Sequence, residues 1–74
     1  MAKGKLPRDL SGEEITRSLR RLGFAVVRQR GSHIRLEKDA RRVTVPNHGD
    51  VNVRTLSSIL DQAGITIDEL QEKL

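Results

Sequence analysis

The chain has 74 residues and no cysteine, which predicts one small domain, excludes a disulfide framework or a thiolate zinc site, and leaves little room for a deep substrate pocket. The net charge of +4 is concentrated in residues 1–42, which hold twelve basic and five acidic side chains, and such a basic surface suits a polyanion like nucleic acid. The longest apolar run, residues 24–27, is far shorter than the roughly 20 residues that cross a bilayer, so we expect a soluble, cytoplasmic protein with no membrane partner.

The first element along the chain is an amphipathic helix. Ser11 and Glu14 have the spacing of a capping box, in which the hydroxyl accepts a backbone N–H and the carboxylate accepts one in return. The apolar stripe of this helix is made of Ile15, Leu19 and Leu22. Gly23 is typical of the residue that follows the C-terminus of a helix, so the helix is predicted to end there. Residues 1–10 are predicted to form a basic, flexible arm, and residues 11–74 a single domain.

Three strands are predicted to follow, at residues 24–30, 33–37 and 42–45. Gly31-Ser32 separates the first two strands, and a turn with Asp39-Ala40 at its tip joins the second to the third. Side chains alternate faces along a strand, so one face of the sheet is apolar and packs on the helices. That face carries Ile34, Leu36, Val43 and Val45. The opposite face carries His33, Arg35, Glu37, Arg42 and Thr44.

The tip of the second hairpin decides which residues oppose each other. With Asp39-Ala40 as the tip, Glu37 opposes Arg42, Arg35 opposes Thr44, and His33 opposes Pro46. This register brings opposite charges together at one rung, which stabilises a strand pair. Asp-Ala is a poor type I′ tip, so a shifted or longer loop is left open.

Two helices complete the predicted fold. The first begins after Asn52 and ends at Gly64; its apolar stripe is made of Leu56, Ile59, Leu60 and Ala63. Thr66 opens a second capping box and a short final helix bearing Leu70 and Leu74. The order is α-β-β-β-α with a short C-terminal helix. This is an α+β fold like that of double-stranded-RNA-binding domains, with helices on one face of a three-stranded antiparallel sheet.

Three segments resemble one known family in both order and spacing. They are Gly31-Ser32-His33, residues 41–49 and residues 55–66. Together they are similar to the HicA toxin family, also called the YcfA-like family, and the resemblance runs from about Ser11 to Leu74. It implies a double-stranded-RNA-binding-like fold, a ribosome-independent endonuclease acting on mRNA, and a HicB antitoxin that covers the active site. In that family the histidine of the Gly-Ser-His motif is catalytic, which assigns the role to His33.

Two segments depart from the family pattern. Residues 50–54 stand where family members commonly have a lysine-rich loop ending in Pro-Gly, which puts in doubt any RNA contact made by that loop. Lys38-Asp39-Ala40 replaces the usual Asp-Gly hairpin tip, and this concerns only the shape of the turn.

His33 suits RNA cleavage without a metal. The substrate carries its own nucleophile, the 2′-hydroxyl, so the protein must supply a proton acceptor, a proton donor and positive charge near the phosphate. An imidazole can accept and donate protons near neutral pH, and Arg35 on the same face could bind the scissile phosphate. Without the family context, a lone strand histidine is more often a solvated surface residue.

Further RNA contacts are predicted around this pair. They come from Arg28, Arg30, Gly31, Ser32, Arg42, Thr44 and His48. The arginines would hold flanking phosphates, Gly31 would let the RNA backbone approach closely, and Ser32 would donate a hydrogen bond. His48 is the candidate for a second proton-transfer residue, although a loop residue making a turn hydrogen bond is the more common interpretation.

No metal, small-molecule cofactor or other enzyme signature is expected, since the sequence lacks Cys/His metal spacing, a P-loop, a dinucleotide fingerprint and a Ser/His/Asp set. The resulting hypothesis is a metal-independent endoribonuclease that acts as the toxin of a type II toxin–antitoxin system. One alternative is a non-catalytic RNA-binding module that uses the same basic face. Another is an interaction protein whose sheet meets only an acidic partner.

Overall fold

The computed structural model describes residues 10–74. Residues 1–9, which make up most of the predicted basic arm, lie outside the described residues. The described chain contains α1 (Gly12–Arg21), β1 (Ala25–Arg30), β2 (His33–Lys38), β3 (Arg41–Pro46), α2 (Val53–Ala63) and α3 (Ile67–Glu72). The strands form one antiparallel sheet in the order β1-β2-β3. This confirms the predicted α+β fold, α-β-β-β-α followed by a short helix.

The β2–β3 hairpin has the predicted register. Glu37 pairs with Arg42, Arg35 with Thr44, and His33 with Pro46. Both strands extend to the tip, so Asp39-Ala40 alone makes the turn. Asp39 has a φ of 53° and Ala40 a negative φ, which is the sign pattern of a type II′ turn; type I′ needs a positive φ at both positions.

Strand β1 contains a bulge that the sequence analysis did not predict. Val26 pairs with Leu36 and Arg28 pairs with Arg35, so Val27 is an extra residue between two adjacent rungs. Directly paired residues of an antiparallel sheet point to the same face. The bulge therefore lets Val26 share the helix-covered face while Arg28 points to the opposite one.

The core lies between the sheet and the helices. On the sheet it contains the four predicted residues, Ile34, Leu36, Val43 and Val45, and on α2 the predicted stripe of Leu56, Ile59, Leu60 and Ala63. Phe24, just before β1, is also buried. Leu10 and Val51 join the same cluster and are linked by a hydrogen bond from the Val51 N–H to the Leu10 carbonyl, 2.8 Å. Leu10, the first described residue, is thus already part of the core.

Both predicted capping boxes are present. The Ser11 hydroxyl accepts the Glu14 N–H at 3.1 Å, and the Glu14 carboxylate accepts the Ser11 N–H at 2.9 Å. These hydrogen bonds to the Ser11 backbone and side chain stabilise the ionised form and lower the pKa of Glu14. Thr66 caps α3 in the same way, and Gly64 ends α2 with a φ of 69°.

The prediction that Leu74 belongs to the final helix is wrong. Helix α3 ends at Glu72, and Leu74 is exposed. The buried Ser18 hydroxyl of α1 donates to the Leu70 carbonyl at 2.5 Å, and the Arg21 guanidinium donates to the Lys73 carbonyl at 2.8 Å. These two hydrogen bonds attach the end of α3 to α1.

The outer edge of β3 is partly occupied by α2. The Thr44 N–H points away from β2 and donates to Gln62 Oε1 at 3.0 Å, while Gln62 Nε2 donates to the Ser58 hydroxyl at 3.1 Å. Pro46 lies two residues further along β3, where a backbone N–H would also point away from β2. Its missing donor therefore removes no hydrogen bond to β2.

Gly12 joins α1 to the loop that follows β3. Its N–H donates to the His48 carbonyl at 2.8 Å, and the Asn47 N–H donates to the Ser32 carbonyl at 2.6 Å. A Cβ added to Gly12 would overlap the Pro46 carbonyl oxygen. The absence of a side chain at this position therefore allows the first turn of α1 to contact the end of β3.

We predict that Gly12→Ala lowers the free energy of unfolding by about 1–3 kcal/mol, because backbone must move to admit the methyl group. Gly49→Ala is the matched control: an added Cβ there meets no atom within 4 Å, and its effect should stay within about 0.5 kcal/mol. Urea denaturation followed by circular dichroism measures both values. Equal stability of the two variants would contradict the close contact.

Candidate nucleic-acid interface

The sheet face opposite the helices is open, and the strand pairing arranges its side chains in rungs. The first rung consists of Arg30, His33 and Pro46, and the second of Arg28, Arg35 and Thr44. The histidine and the three arginines are exposed. Because cross-strand neighbours lie about 4.5–5.5 Å apart at Cβ, each rung brings its side chains within reach of one ligand.

A shallow cavity of about 290 Å³ lies over these two rungs. Its lining consists of Arg28, Arg30, His33, Arg35 and Thr44. All five are residues that the sequence analysis selected for RNA contact or catalysis. The structure thus brings a histidine, three guanidinium groups and a hydroxyl together on one surface.

The charges of these two rungs are not neutralised within the described part of the chain. Arg28 and Arg35 are directly opposed, and like charges in that position destabilise a sheet. Among residues 10–74, the only ion pair within 4 Å joins Arg42 Nε to Glu37 Oε2, at 3.6 Å. An anion placed over the second rung would relieve the repulsion between its two guanidinium groups.

The predicted contacts at the edges of the cavity differ in their surroundings. Arg42 lies at the third rung, opposite Glu37, and does not line the cavity. His48 is exposed in the loop after β3 and is also absent from the lining. The His48 carbonyl accepts a hydrogen bond from the Gly12 N–H, which fixes the backbone of the loop at this point.

Gly31 and Ser32 form the two-residue tip between β1 and β2, since Arg30 pairs with His33. Gly31 has a φ of 57°, a conformation that glycine adopts at little cost. A Cβ at Gly31 would meet no atom within 4 Å. The positive φ of the turn, and not a close contact, therefore explains why glycine occupies this position. The space beside Gly31 is open to a ligand.

Sequence reasoning missed two features that shape this face. One is the bulge at Val27, for which the adjacent valines that break the polar–apolar alternation were the available signal. The other is Gly12, whose signal was a poor helix former inside a capping box. Both features act on backbone position and contribute no chemical group.

A larger groove, about 820 Å³, lies between α1 and β1. Arg17, Arg20, Val26 and Gln29 are among its lining residues, and no histidine is. The groove is larger than the cavity over the two rungs, but its lining holds only one acidic side chain, Glu13, and none of the opposed arginines. We therefore place the candidate chemistry at the smaller cavity.

Nowhere in residues 10–74 do three or more His, Asp or Glu side chains form a group that could hold a metal ion. None of the helices formed by these residues has the length and apolar character needed to cross a membrane.

Comparison with known proteins identifies the family. The family model described as "HicA toxin of bacterial toxin-antitoxin" matches residues 12–65, from the start of α1 to just beyond α2. A search of curated proteins finds no match. The matched segment is well over half of the chain and contains the whole open face, and the chain therefore belongs to the HicA toxin family of bacterial toxin–antitoxin systems.

Proposed function

We propose that this toxin is a metal-independent endoribonuclease that cuts mRNA in the cytoplasm, with His33 as its catalytic residue. One observation carries the proposal: an exposed histidine lies beside two opposed arginines that have no acidic partner within residues 10–74. A phosphodiester over the second rung would place its neighbouring nucleotide at the first. The arrangement supplies both positive charge and a proton-transfer group to one substrate.

The proposed reaction uses the substrate's own nucleophile. The His33 imidazole removes the proton from a 2′-hydroxyl, and the oxygen attacks the adjacent phosphorus. The bond to the 5′-oxygen breaks, and that oxygen takes a proton from solvent, which reaches the open face freely. The products are a 2′,3′-cyclic phosphate and a 5′-hydroxyl, and the imidazolium returns its proton to water.

The remaining predicted contacts have supporting roles in this proposal. Arg35 stabilises the negative charge that develops on the scissile phosphate, and Arg28 and Arg30 bind flanking oxygens. Thr44 and Ser32 offer hydroxyl groups to the substrate, and Gly31 leaves space for its backbone. For His48 and Arg42, which lie outside the cavity, we propose peripheral contacts at most.

Family membership implies an antitoxin partner. We propose that this partner is HicB-like and that it covers the open face. An acidic segment over Arg28 and Arg35 would neutralise the same charges that RNA neutralises. Binding of RNA and of antitoxin would then exclude each other.

The first test compares native protein with His33→Ala on mRNA fragments in excess chelator. We expect the variant to cut about 10²–10⁴-fold more slowly, because that is the usual contribution of one general acid–base group. Glu72→Gln, at the exposed end of α3, controls for preparation. Equal cutting by native protein and His33→Ala would refute the assignment; salt-dependent RNA binding with no cutting by either would favour the non-catalytic RNA-binding module.

A second prediction concerns stability. Arg28→Thr removes the like-charge pair with Arg35, so we expect the free energy of unfolding to rise by about 0.2–1 kcal/mol at low salt, while RNA cleavage falls. Arg42→Thr makes the same change on the same face but removes an attractive pair with Glu37, and it should not stabilise. The gain in stability of Arg28→Thr should be smaller at high salt, because salt screens the repulsion. Urea denaturation at low and high salt measures the free energy of unfolding of both variants. Equal effects of Arg28→Thr and Arg42→Thr would argue against repulsion at the second rung.

A third prediction separates two roles for Gly31. Asparagine tolerates a positive φ better than other residues with side chains, so Gly31→Asn should keep the turn and leave the unfolding midpoint nearly unchanged. If RNA passes close to this turn, the added side chain lowers kcat/KM for cleavage. Unchanged kcat/KM in a stable Gly31→Asn protein would show that the glycine serves the turn alone.

A further inference from the structure

The row of cations on the open face ends at a carboxylate. We propose that the site is a short track for single-stranded RNA that binds two successive phosphates and is closed at the third rung by Glu37. This inference rests on the proposed function and adds the length of substrate that the site can hold.

The first two rungs provide the two phosphate positions. Residues two apart on one strand lie roughly 7 Å apart, a spacing comparable with that of successive phosphates in an extended RNA strand. Arg28 and Arg35 occupy the second rung and bind the scissile phosphate. His33 and Arg30 occupy the first rung, where Arg30 binds the neighbouring phosphate.

The third rung differs in charge. It consists of Ala25, Glu37 and Arg42, with Glu37 Oε2 3.6 Å from Arg42 Nε. The Arg42 side chain is 73% exposed and that of Glu37 38%, so the pair contributes little to stability. Its effect is on the ligand: the carboxylate neutralises Arg42 and repels a third phosphate.

Binding in such a track depends on phosphates more than on bases. Phe24 is the only aromatic residue of the chain, and it is buried in the core. Apart from the His33 imidazole, which the proposed reaction uses, the open face therefore has no aromatic ring on which a base can stack, although stacking is the usual source of affinity for single-stranded bases. A single strand is also required because its flexible backbone can align the 2′-oxygen with the leaving 5′-oxygen.

The experiment measures affinity against substrate length for the full chain. The probes are 2′-fluoro RNA oligonucleotides of two to eight nucleotides, which lack the attacking hydroxyl and cannot be cut. For native protein we expect affinity to rise up to the trinucleotide, which has two internucleotide phosphates, and then to change less than about twofold. The slope of log Kd against log salt should correspond to two phosphates, a magnitude of about 1.4.

Glu37→Gln should extend the track. We expect affinity to rise about threefold or more from three to four nucleotides, and the slope to reach about 2.1, as for three phosphates. Glu72→Gln makes the same change in net charge on α3 and should match native protein. The double variant Glu37→Gln, Arg42→Gln should also return to the native length dependence, because the gain requires a free Arg42.

The outcomes separate the two proposals. Normal cleavage together with a length dependence that Glu37→Gln does not change would overturn the two-phosphate track alone, as would a native slope already at or above 2.1. If native protein bound no oligonucleotide and cleaved no RNA, the proposed function itself would be refuted.

Discussion

The side chains of β2 alternate between the two faces of the sheet, and the rest of the structure depends on this alternation. Ile34 and Leu36 are 5% and 0% exposed on the helix-covered face, so His33 and Arg35 must point to the other. A slip of one residue would bury charged groups and expose apolar ones, and no turn preference is large enough to compensate for that. The hydrophobic core therefore orients the candidate site directly.

The bulge in β1 extends this constraint to a second strand. Val26 shares the helix-covered face with Leu36, and Arg28 faces outward only because Val27 is accommodated between them. An uninterrupted strand would place Val26 and Arg28 on the same face. The opposed Arg28 and Arg35 that result are unfavourable for the isolated protein and favourable for one that binds phosphate, which is the usual relation between stability and a functional site.

Most of the fold could be predicted from the sequence because it follows local rules. The capping boxes at Ser11 and Thr66, the β2–β3 register and the alternating faces depend on residues close together in the chain. The features that were missed depend on distant contacts: the Gly12 backbone against Pro46, and the hydrogen bonds from α1 to the end of α3, beyond which Leu74 is exposed. The β2 and β3 members of the open face were predictable in the same local way, whereas the outward direction of Arg28 depends on the bulge. The chemical role given to His33 came from resemblance to a family and not from geometry.

The two edges of the sheet are unequal, and this limits how the domain can assemble with other chains. On β3, Gln62 already binds the Thr44 N–H and Pro46 has no N–H to offer, so an incoming strand would find two donors missing. Strand β1 pairs only with β2 and keeps its other edge free of strands within residues 10–74. Among the described residues, β1 therefore offers the more complete edge to a strand of a neighbouring polypeptide. A strand added there would lie alongside Arg28 and Arg30, which favours acidic side chains in that strand.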